Sequence, residues 1–180
     1  KAEREELKIK GGWQDQYASA IGGFNYMEFE KDKSLVYPLK LKQELIDELE
    51  NHLLLCYIGR THNSGELHNR QETLFIKDES EKIKLLLRLK ELSQEIKEAL
   101  LINRLELFGR IMNETWDIKK KLSDNISNSF VDKLYEAALK NGAYGGRLLG
   151  AGDGGYLLLF HSPKKRNDLA KALKNIGAPE

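Results

Sequence analysis

The chain has 180 residues, of which 41% are hydrophobic and 32% are charged, and its formal net charge is +1. This composition excludes a disordered chain, and the balanced charge excludes the clustered basic surface of a typical nucleic-acid-binding domain. No apolar run is long and uncharged enough to predict a membrane span. The single cysteine, Cys56, excludes an internal disulfide framework and favours a reducing compartment. We therefore expect a cytoplasmic protein without nucleic-acid or membrane partners.

The N-terminal part of the sequence predicts a helix tail, a glycine turn and a hairpin. Residues 3–9 have helical character without a cap before them, and they run directly into Gly11 and Gly12. We therefore expect this chain to be a piece of a longer protein. Residues 24–29 (FNYMEF) alternate and are rich in aromatic side chains, which predicts a strand, and residues 34–39 predict its hairpin partner.

The middle of the sequence changes from mixed to helical patterns. Residues 43–51 predict a short amphipathic helix, and residues 53–58 predict a buried strand that ends at Gly59. A polar loop follows at residues 60–64. From about residue 65 to residue 141, leucine and isoleucine recur at three- and four-residue spacing, which predicts helices.

The C-terminal part of the sequence predicts two short strands and a last helix. The Asn-Gly pair at residues 141–142 stops the helical region, residues 147–149 and 156–160 predict strands, and Pro163 opens the last helix. Strands and helices are therefore mixed rather than strictly alternating. This order predicts an α+β fold, with an antiparallel sheet and helices packed on one of its faces.

Asp15 is the first candidate for chemistry, because it stands between two glycine pairs in residues 11–23. Residues 17–21 predict a short helix, so one interpretation is that Asp15 only caps that helix. The alternative is a carboxylate in a cleft that orients a substrate hydroxyl or accepts its proton, which is worth roughly 10²–10⁴ in rate.

A glycine-rich segment between the two last strands is the second candidate. Consecutive glycines offer backbone N–H groups to an anion, but they also suit a tight turn between strands. The segment lacks the Gly-Lys-Ser/Thr ending of a P-loop, and a strand rather than a helix follows it, which argues against a dinucleotide-binding fingerprint. Its residues are Gly150, Ala151, Gly152, Asp153, Gly154 and Gly155.

Together, and in this order, these segments resemble two motifs of the GHMP kinase family. Residues 11–23 (GGWQDQYASAIGG) resemble the segment that carries the family's catalytic aspartate, which falls on Asp15. Residues 146–160 (GRLLGAGDGGYLLLF) resemble its third motif, a glycine loop that lies near the phosphates. The resemblance implies a C-terminal domain with a ferredoxin-like antiparallel sheet. It also implies that Gly11, Gly12, Trp13 and Gln14 contact the substrate.

Within the family, residues 13–29 are most similar to heptose phosphate kinases, which supply precursors of lipopolysaccharide or capsule. L-fucose kinases are similar around Asp15, and galactose is a further candidate acceptor. Residues 57–66 (YIGRTHNSGE) also resemble the heptose kinases, which implies that Arg60 and Thr61 reach the sugar; an ordinary surface loop explains that segment equally well.

One departure from the family concerns ATP. The second family motif, Pro-x-x-x-Gly-Leu-Gly-Ser-Ser, does not occur in this sequence. The resemblance therefore implies that ATP and Mg²⁺ are held mainly by a part of the protein outside this chain, and that the chain alone is inactive. It also implies a division into residues 1–30, the end of the N-terminal domain, and residues 31–180, the substrate-binding domain. We expect the Asp153 carboxylate to point away from the phosphates.

Two other hypotheses stay open beside the sugar kinase. One is a sugar-binding module that retains the fold without catalysis, and the other is a helical interaction protein. The apolar side of the sheet, once a partner domain is removed, also invites association into a homodimer. The four histidines show no metal-ligand spacing, so we predict no metal ligands among them: His52, His62, His68 and His161.

Overall fold

The computed structural model describes residues 12–31, 33–59, 78–122, 126–149 and 155–178. The chain divides into two compact units, and the boundary lies between Gln43 and Glu44. Each unit is described separately below.

The described residues of the first unit form a short helix and a β-hairpin. The helix is α1 (Gln14–Ile21), and the antiparallel strands are β1 (Asn25–Phe29) and β2 (Ser34–Pro38). Met27 faces Val36 in the register, and Tyr26 faces Tyr37 with ring centroids 6.2 Å apart. Aromatic and β-branched cross-strand pairs of this kind stabilise a hairpin.

The second unit opens with a helix that leads directly into a strand, α2 (Gln43–His52) and β3 (Leu53–Tyr57). Three longer helices, two strands and a last helix follow. They are α3 (Glu79–Leu101), α4 (Leu105–Leu122), α5 (Ser129–Lys140), β4 (Ala143–Leu148), β5 (Tyr156–His161) and α6 (Arg166–Ile176), the last preceded by a 3₁₀ turn at Pro163–Lys165.

The strands of the second unit form an antiparallel sheet in the order β3-β5-β4. Side chains alternate between its faces, as strand geometry requires. On one face Leu157 and Leu159 are fully buried. On the other face Leu55 and Tyr156 are 58% and 49% exposed.

The main hydrophobic core lies between the buried face of this sheet and the helices. Cys56 and Leu157 from the sheet join Trp116 of α4, Leu134 of α5 and Leu169 of α6 in one cluster. A second cluster connects α3 to α4 through Leu92, Ile111 and Ile118, among others. Burial of these side chains is the main source of stability for the unit.

Helix starts follow local capping chemistry. Asp78 accepts a hydrogen bond from the backbone N–H of Ser80 and begins α3, while Asn128 caps α5 through the N–H groups of Phe130 and Val131. These caps satisfy backbone donors that would otherwise lack partners at the helix start.

The predicted α+β fold is confirmed, with an antiparallel sheet in each unit. The strand predicted at residues 147–149 is longer and starts earlier, at Ala143. Gly145 and Gly146 lie inside that strand, and glycine weakens a strand pattern in the sequence.

Candidate active site

Asp15 lies in the first turn of α1, with its side chain exposed. The N-cap position belongs to Trp13, and no side-chain hydrogen bond caps this helix. The interpretation of Asp15 as a helix cap is therefore wrong. Within the described part of the chain, no group hydrogen-bonds to its carboxylate, which is free to accept a proton or a hydroxyl hydrogen bond. The positive end of the helix dipole favours a negative charge at this position.

Three of the predicted substrate-contacting residues precede Asp15 directly. Gly12 and Gln14 are exposed, and Trp13 is half-buried. The Gln14 side chain folds back over Gly12, so that a Cβ atom at Gly12 would overlap Gln14 Oε1. The small size of Gly12 thus leaves room for the Gln14 amide beside the start of the helix. Gly11 lies outside the described residues.

The turn at the other end of α1 is built from glycine. Gly22 and Gly23 both have positive φ angles, 71° and 66°, which side chains rarely tolerate. The Gly22 N–H bonds to the carbonyl of Ala18, which closes the helix, and the Asn25 side chain donates to the carbonyl of Gly22 at 2.8 Å. Sequence analysis missed Asn25, although an asparagine after a Gly-Gly pair is a turn signal.

In the second unit, the predicted glycine loop joins two paired strands. Leu148 of β4 faces Leu157 of β5, and the backbone N–H of Leu149 donates to the carbonyl of Tyr156 at 2.8 Å. Gly155 has φ 96°, which favours glycine at the end of the loop. The strand-loop-strand connection agrees with the exclusion of a dinucleotide-binding fingerprint. Residues 150–154 lie outside the described residues.

The end of this loop is bonded to the segment that follows β3. The N–H of Gly155 donates to the carbonyl of Gly59 at 3.1 Å, and the N–H of Ile58 donates to the carbonyl of Gly155 at 3.0 Å. The end of the glycine loop and the start of the loop after β3 are therefore neighbours along the backbone pairing. Arg60 and Thr61, which follow Gly59, lie outside the described residues.

Two other glycines have a packing role rather than a ligand-binding one. Gly145 and Gly146 precede the glycine loop in sequence but lie within β4. A Cβ atom at Gly145 would overlap the carbonyl of Gly109 and the backbone nitrogen of Asn113 in α4. Nearby, the Tyr135 hydroxyl donates to Asn113 Oδ1 at 2.9 Å, and burial raises its pKa above the usual value. This contact fixes α4 and α5 against the strand.

The described histidines are structural. His161 is fully buried, and its Nδ1 donates to the carbonyl of Ser162 at 2.8 Å. Burial lowers its pKa below the usual value. The His52 ring stacks on Phe160 with centroids 5.2 Å apart. Over the described ranges, no three metal-ligating side chains form a group that could hold a metal ion. His62 and His68 lie outside those ranges.

The predicted site residues thus fall into two groups, one on each unit. Gly12, Trp13, Gln14 and Asp15 belong to the first unit, and Gly155 belongs to the second. None of the helices that the structure describes has the length and apolar character needed to cross a membrane.

Comparison with known proteins identifies the second unit. Residues 96–178 match the family described as GHMP kinases C terminal. Over 173 residues, the chain is 35% identical to a D-glycero-alpha-D-manno-heptose 7-phosphate kinase from Campylobacter jejuni, covering 96% of this chain and 50% of that protein. It is 32% identical to a bifunctional fucokinase/GDP-fucose pyrophosphorylase from Arabidopsis thaliana, covering 91% of this chain and 16% of that protein.

A solved structure is similar in fold as well. The crystal structure of a D-glycero-D-manno-heptose 1-phosphate kinase from Bacteroides thetaiotaomicron matches with a TM-score of 0.67 and 30% identity, over 98% of this chain and 46% of that one. This chain therefore spans half or less of the length of these relatives. The chain carries a C-terminal domain of the GHMP kinase family.

Proposed function

We propose that the full-length protein containing this chain is an ATP-dependent kinase that phosphorylates a hydroxyl group of a sugar or sugar phosphate. The similarity to the Campylobacter jejuni kinase, at 35% identity over 96% of this chain, carries the proposal. The exposed carboxylate of Asp15 at the start of α1 supports it. The proposal includes a cytoplasmic location, which the free, buried Cys56 suits.

Asp15 acts on the acceptor in the proposed reaction. Its carboxylate accepts a hydrogen bond from the acceptor hydroxyl, orients it, and takes its proton as the oxygen attacks the γ-phosphorus. The bond from the γ-phosphorus to the bridging oxygen breaks, and ADP leaves. Phosphoryl transfer depends mostly on positioning and on electrostatic stabilisation, so one well-placed carboxylate is a sufficient contribution from this unit.

Gly12, Trp13 and Gln14 shape the acceptor side of the proposed site. The Gln14 amide, held over Gly12, offers both a donor and an acceptor to a sugar hydroxyl. The half-buried Trp13 presents a ring edge or face, on which sugars commonly pack. We also assign Gly11, Arg60 and Thr61 to substrate contacts, on the family resemblance alone.

ATP supplies the phosphoryl group when it is bound. We assign the loop of residues 150–155 to the cleft wall near the phosphates, where backbone N–H groups suit an anion. On the family resemblance, and because the second family motif does not occur in this sequence, we assign Mg²⁺ and the remaining ATP contacts to the part of the protein outside this chain. In this proposal residues 1–30 end the N-terminal domain, and residues 31–180 form the substrate-binding domain.

A heptose phosphate is the first candidate acceptor, which would place the product among precursors of lipopolysaccharide or capsule. L-fucose is the second candidate, because the Arabidopsis thaliana relative is a fucokinase and is 32% identical. Galactose is the third. All three present ring hydroxyls, and the heptose phosphate alone also carries a phosphate group.

The test is an ADP-release assay on the full-length protein with ATP and Mg²⁺. The acceptors are heptose 7-phosphate, heptose 1-phosphate, L-fucose, galactose and mevalonate, each also tested without Mg²⁺. The proposal predicts Mg²⁺-dependent ADP release with one of the sugars. Sugar binding by calorimetry without any ADP release would favour a non-catalytic sugar-binding module and contradict the kinase.

A further inference from the structure

The helix that carries Asp15 is held in place by few contacts. None of the eight residues of α1 is buried. A helix this short is not stable by itself, and its orientation is normally set by buried side chains. For α1 the specific contacts to the hairpin must therefore set the direction in which the helix points.

One of these contacts lies close to Asp15. The Tyr17 ring packs against the Phe29 ring of β1, with centroids 5.8 Å apart and planes at 53°. Such tilted aromatic pairs contribute roughly 0.5–1.5 kcal/mol beyond the area they bury. This contact fastens α1 to β1 near Asp15.

The second contact lies at the opposite end of α1, in the turn that joins it to β1. The Asn25 Nδ2 donates to the carbonyl of Gly22 at 2.8 Å and also approaches the carbonyl of Gly23 at 3.5 Å. Only the amide nitrogen can donate, so two facing carbonyls fix which way the amide is turned. Asn25 is half-buried, although its two hydrogen bonds lie at an exposed turn.

The turn needs such a side-chain contact because its two glycines can adopt many backbone conformations. Gly22 and Gly23 lie in the positive-φ region, and apart from their chain neighbours no heavy atom of the described residues lies within 4 Å of a Cβ built at either glycine. Crowding therefore does not hold the turn. The Asn25 amide donates the side-chain hydrogen bonds that connect the two glycine carbonyls to Asn25, the first residue of β1.

We infer that Asn25 is a positioning residue for Asp15: its amide fixes the Gly22–Gly23 turn, and thereby the direction of α1 and the place of the Asp15 carboxylate. The inference rests on the proposed function for its catalytic consequence. Asp15 lies seven residues before Gly22, or about 10 Å along the helix. A pivot of about 10° at the turn would move the carboxylate by about 2 Å, and misplacement of that size can cost about 10²-fold in rate.

The first experiment compares Asn25→Asp with wild type in the full-length protein. This substitution keeps the size of the side chain but replaces the donor with an oxygen that repels both carbonyls. We expect kcat to fall about 10- to 100-fold while the KM for ATP stays within about 3-fold. Val36→Ala is the matched control, since it loosens the hairpin on β2 without touching the turn, and it should lower Tm without changing kcat by more than about 2-fold.

A double-mutant cycle separates positioning from general destabilisation. In an Asp15→Asn background, Asn25→Asp should cause no further loss of kcat, because no carboxylate is left to place. An equal fractional loss in both backgrounds, or an unchanged kcat in the single variant, would overturn the inference.

A second readout does not depend on activity. Trp13 is the N-cap residue of α1, and the difference in acrylamide quenching between each protein and the same protein carrying Trp13→Phe reports on Trp13 alone. Asn25→Asp should change the quenching constant of Trp13, and Val36→Ala should not. Unchanged quenching would overturn the positioning role whether or not the protein is a kinase. Changed quenching in a protein that never releases ADP would uphold the role of Asn25 in placing α1 and contradict only the proposed kinase function.

Discussion

Gly155 donates its backbone N–H to the carbonyl of Gly59 at 3.1 Å, and this bond joins the ends of two loops that sequence analysis treated separately. The Ile58 N–H returns a bond to the Gly155 carbonyl at 3.0 Å. Together they extend the pairing of β3 with β5 by one step beyond Tyr57 and Tyr156. The start of the predicted sugar-contacting loop and the end of the glycine loop are thus fixed to one another by main-chain bonds.

This pair of main-chain hydrogen bonds depends on glycine at residue 155. Among the described residues, a Cβ at Gly155 would meet just the Leu149 carbonyl at 3.9 Å, so we assign the cost of Gly155→Ala to its φ of 96°. We expect Gly155→Ala to lower the free energy of unfolding by about 1–3 kcal/mol. Gly155→Asn, which tolerates positive φ better, should cost less. Urea unfolding of both variants measures the difference, and equal losses would contradict an origin in backbone strain.

Residue 145 must be glycine for a different reason, which is the lack of space for a Cβ atom rather than the φ angle. Because a Cβ there would overlap backbone atoms of Gly109 and Asn113, α4 would have to move away from β4. We expect Gly145→Ala to destabilise the protein by about 2 kcal/mol. Arg147→Ala, an exposed position on the same strand, is the control and should stay within about 0.5 kcal/mol. A Gly145→Ala protein as stable as wild type would show that the helix can shift without cost.

Gly12 offers a way to disturb the acceptor side without unfolding the protein. The group that a Cβ at Gly12 would meet is the end of the flexible Gln14 side chain, which can swing away. We expect Gly12→Ala in the full-length protein to leave Tm nearly unchanged but to raise the KM for the sugar. Gln14→Ala should raise that KM similarly, and combining both should add little. Fully additive effects would mean that Gly12 acts independently of Gln14.

His161 makes stability depend on pH. Burial, together with the charges of Arg166 and His52, lowers its pKa below the ordinary value of 6.5, so the folded state prefers the neutral ring; the carbonyls of Ser162 and Leu53 oppose this in part. The unfolded chain binds the proton more readily, so the contribution is complete above about pH 6.5 and is lost as the pH falls towards the lower folded pKa. Urea unfolding between pH 7.5 and 5.5 should show this loss, and His161→Gln should reduce it. His52→Gln, which removes one of the charges that lower the His161 pKa, should reduce the pH dependence by less, and a pH dependence equal to that of wild type in the His161 variant would contradict this assignment.

Elements with a strong local pattern were predictable from the sequence. The alternating aromatic residues of β1, the apolar run of β3 and the leucine spacing of α3 and α4 each indicate their structure without knowledge of the fold. The strand after the glycine loop was also predictable, because β5 is an apolar run, whereas the strand before it was predicted too short.

Features that depend on tertiary contact were not predictable. The overlap that requires glycine at Gly145 involves α4, more than thirty residues earlier in the sequence, and no local pattern reports it. Asp15 was open to interpretation as a cap, because the sequence alone did not place the first residue of α1. The Asn25 contact was missed because the amide acts on a turn whose carbonyls become its partners only in the folded hairpin.

The steady-state kinetics of Asp15→Asn in the full-length protein test the central proposal most directly. Asp168→Asn is the matched control, since it makes the same chemical change at an exposed aspartate of α6, which pairs with Lys165. We predict that Asp15→Asn lowers kcat by about 10²-fold or more with little change in the KM for the sugar, while Asp168→Asn leaves both constants near wild type. A kcat for Asp15→Asn equal to that of Asp168→Asn would contradict a catalytic role for Asp15.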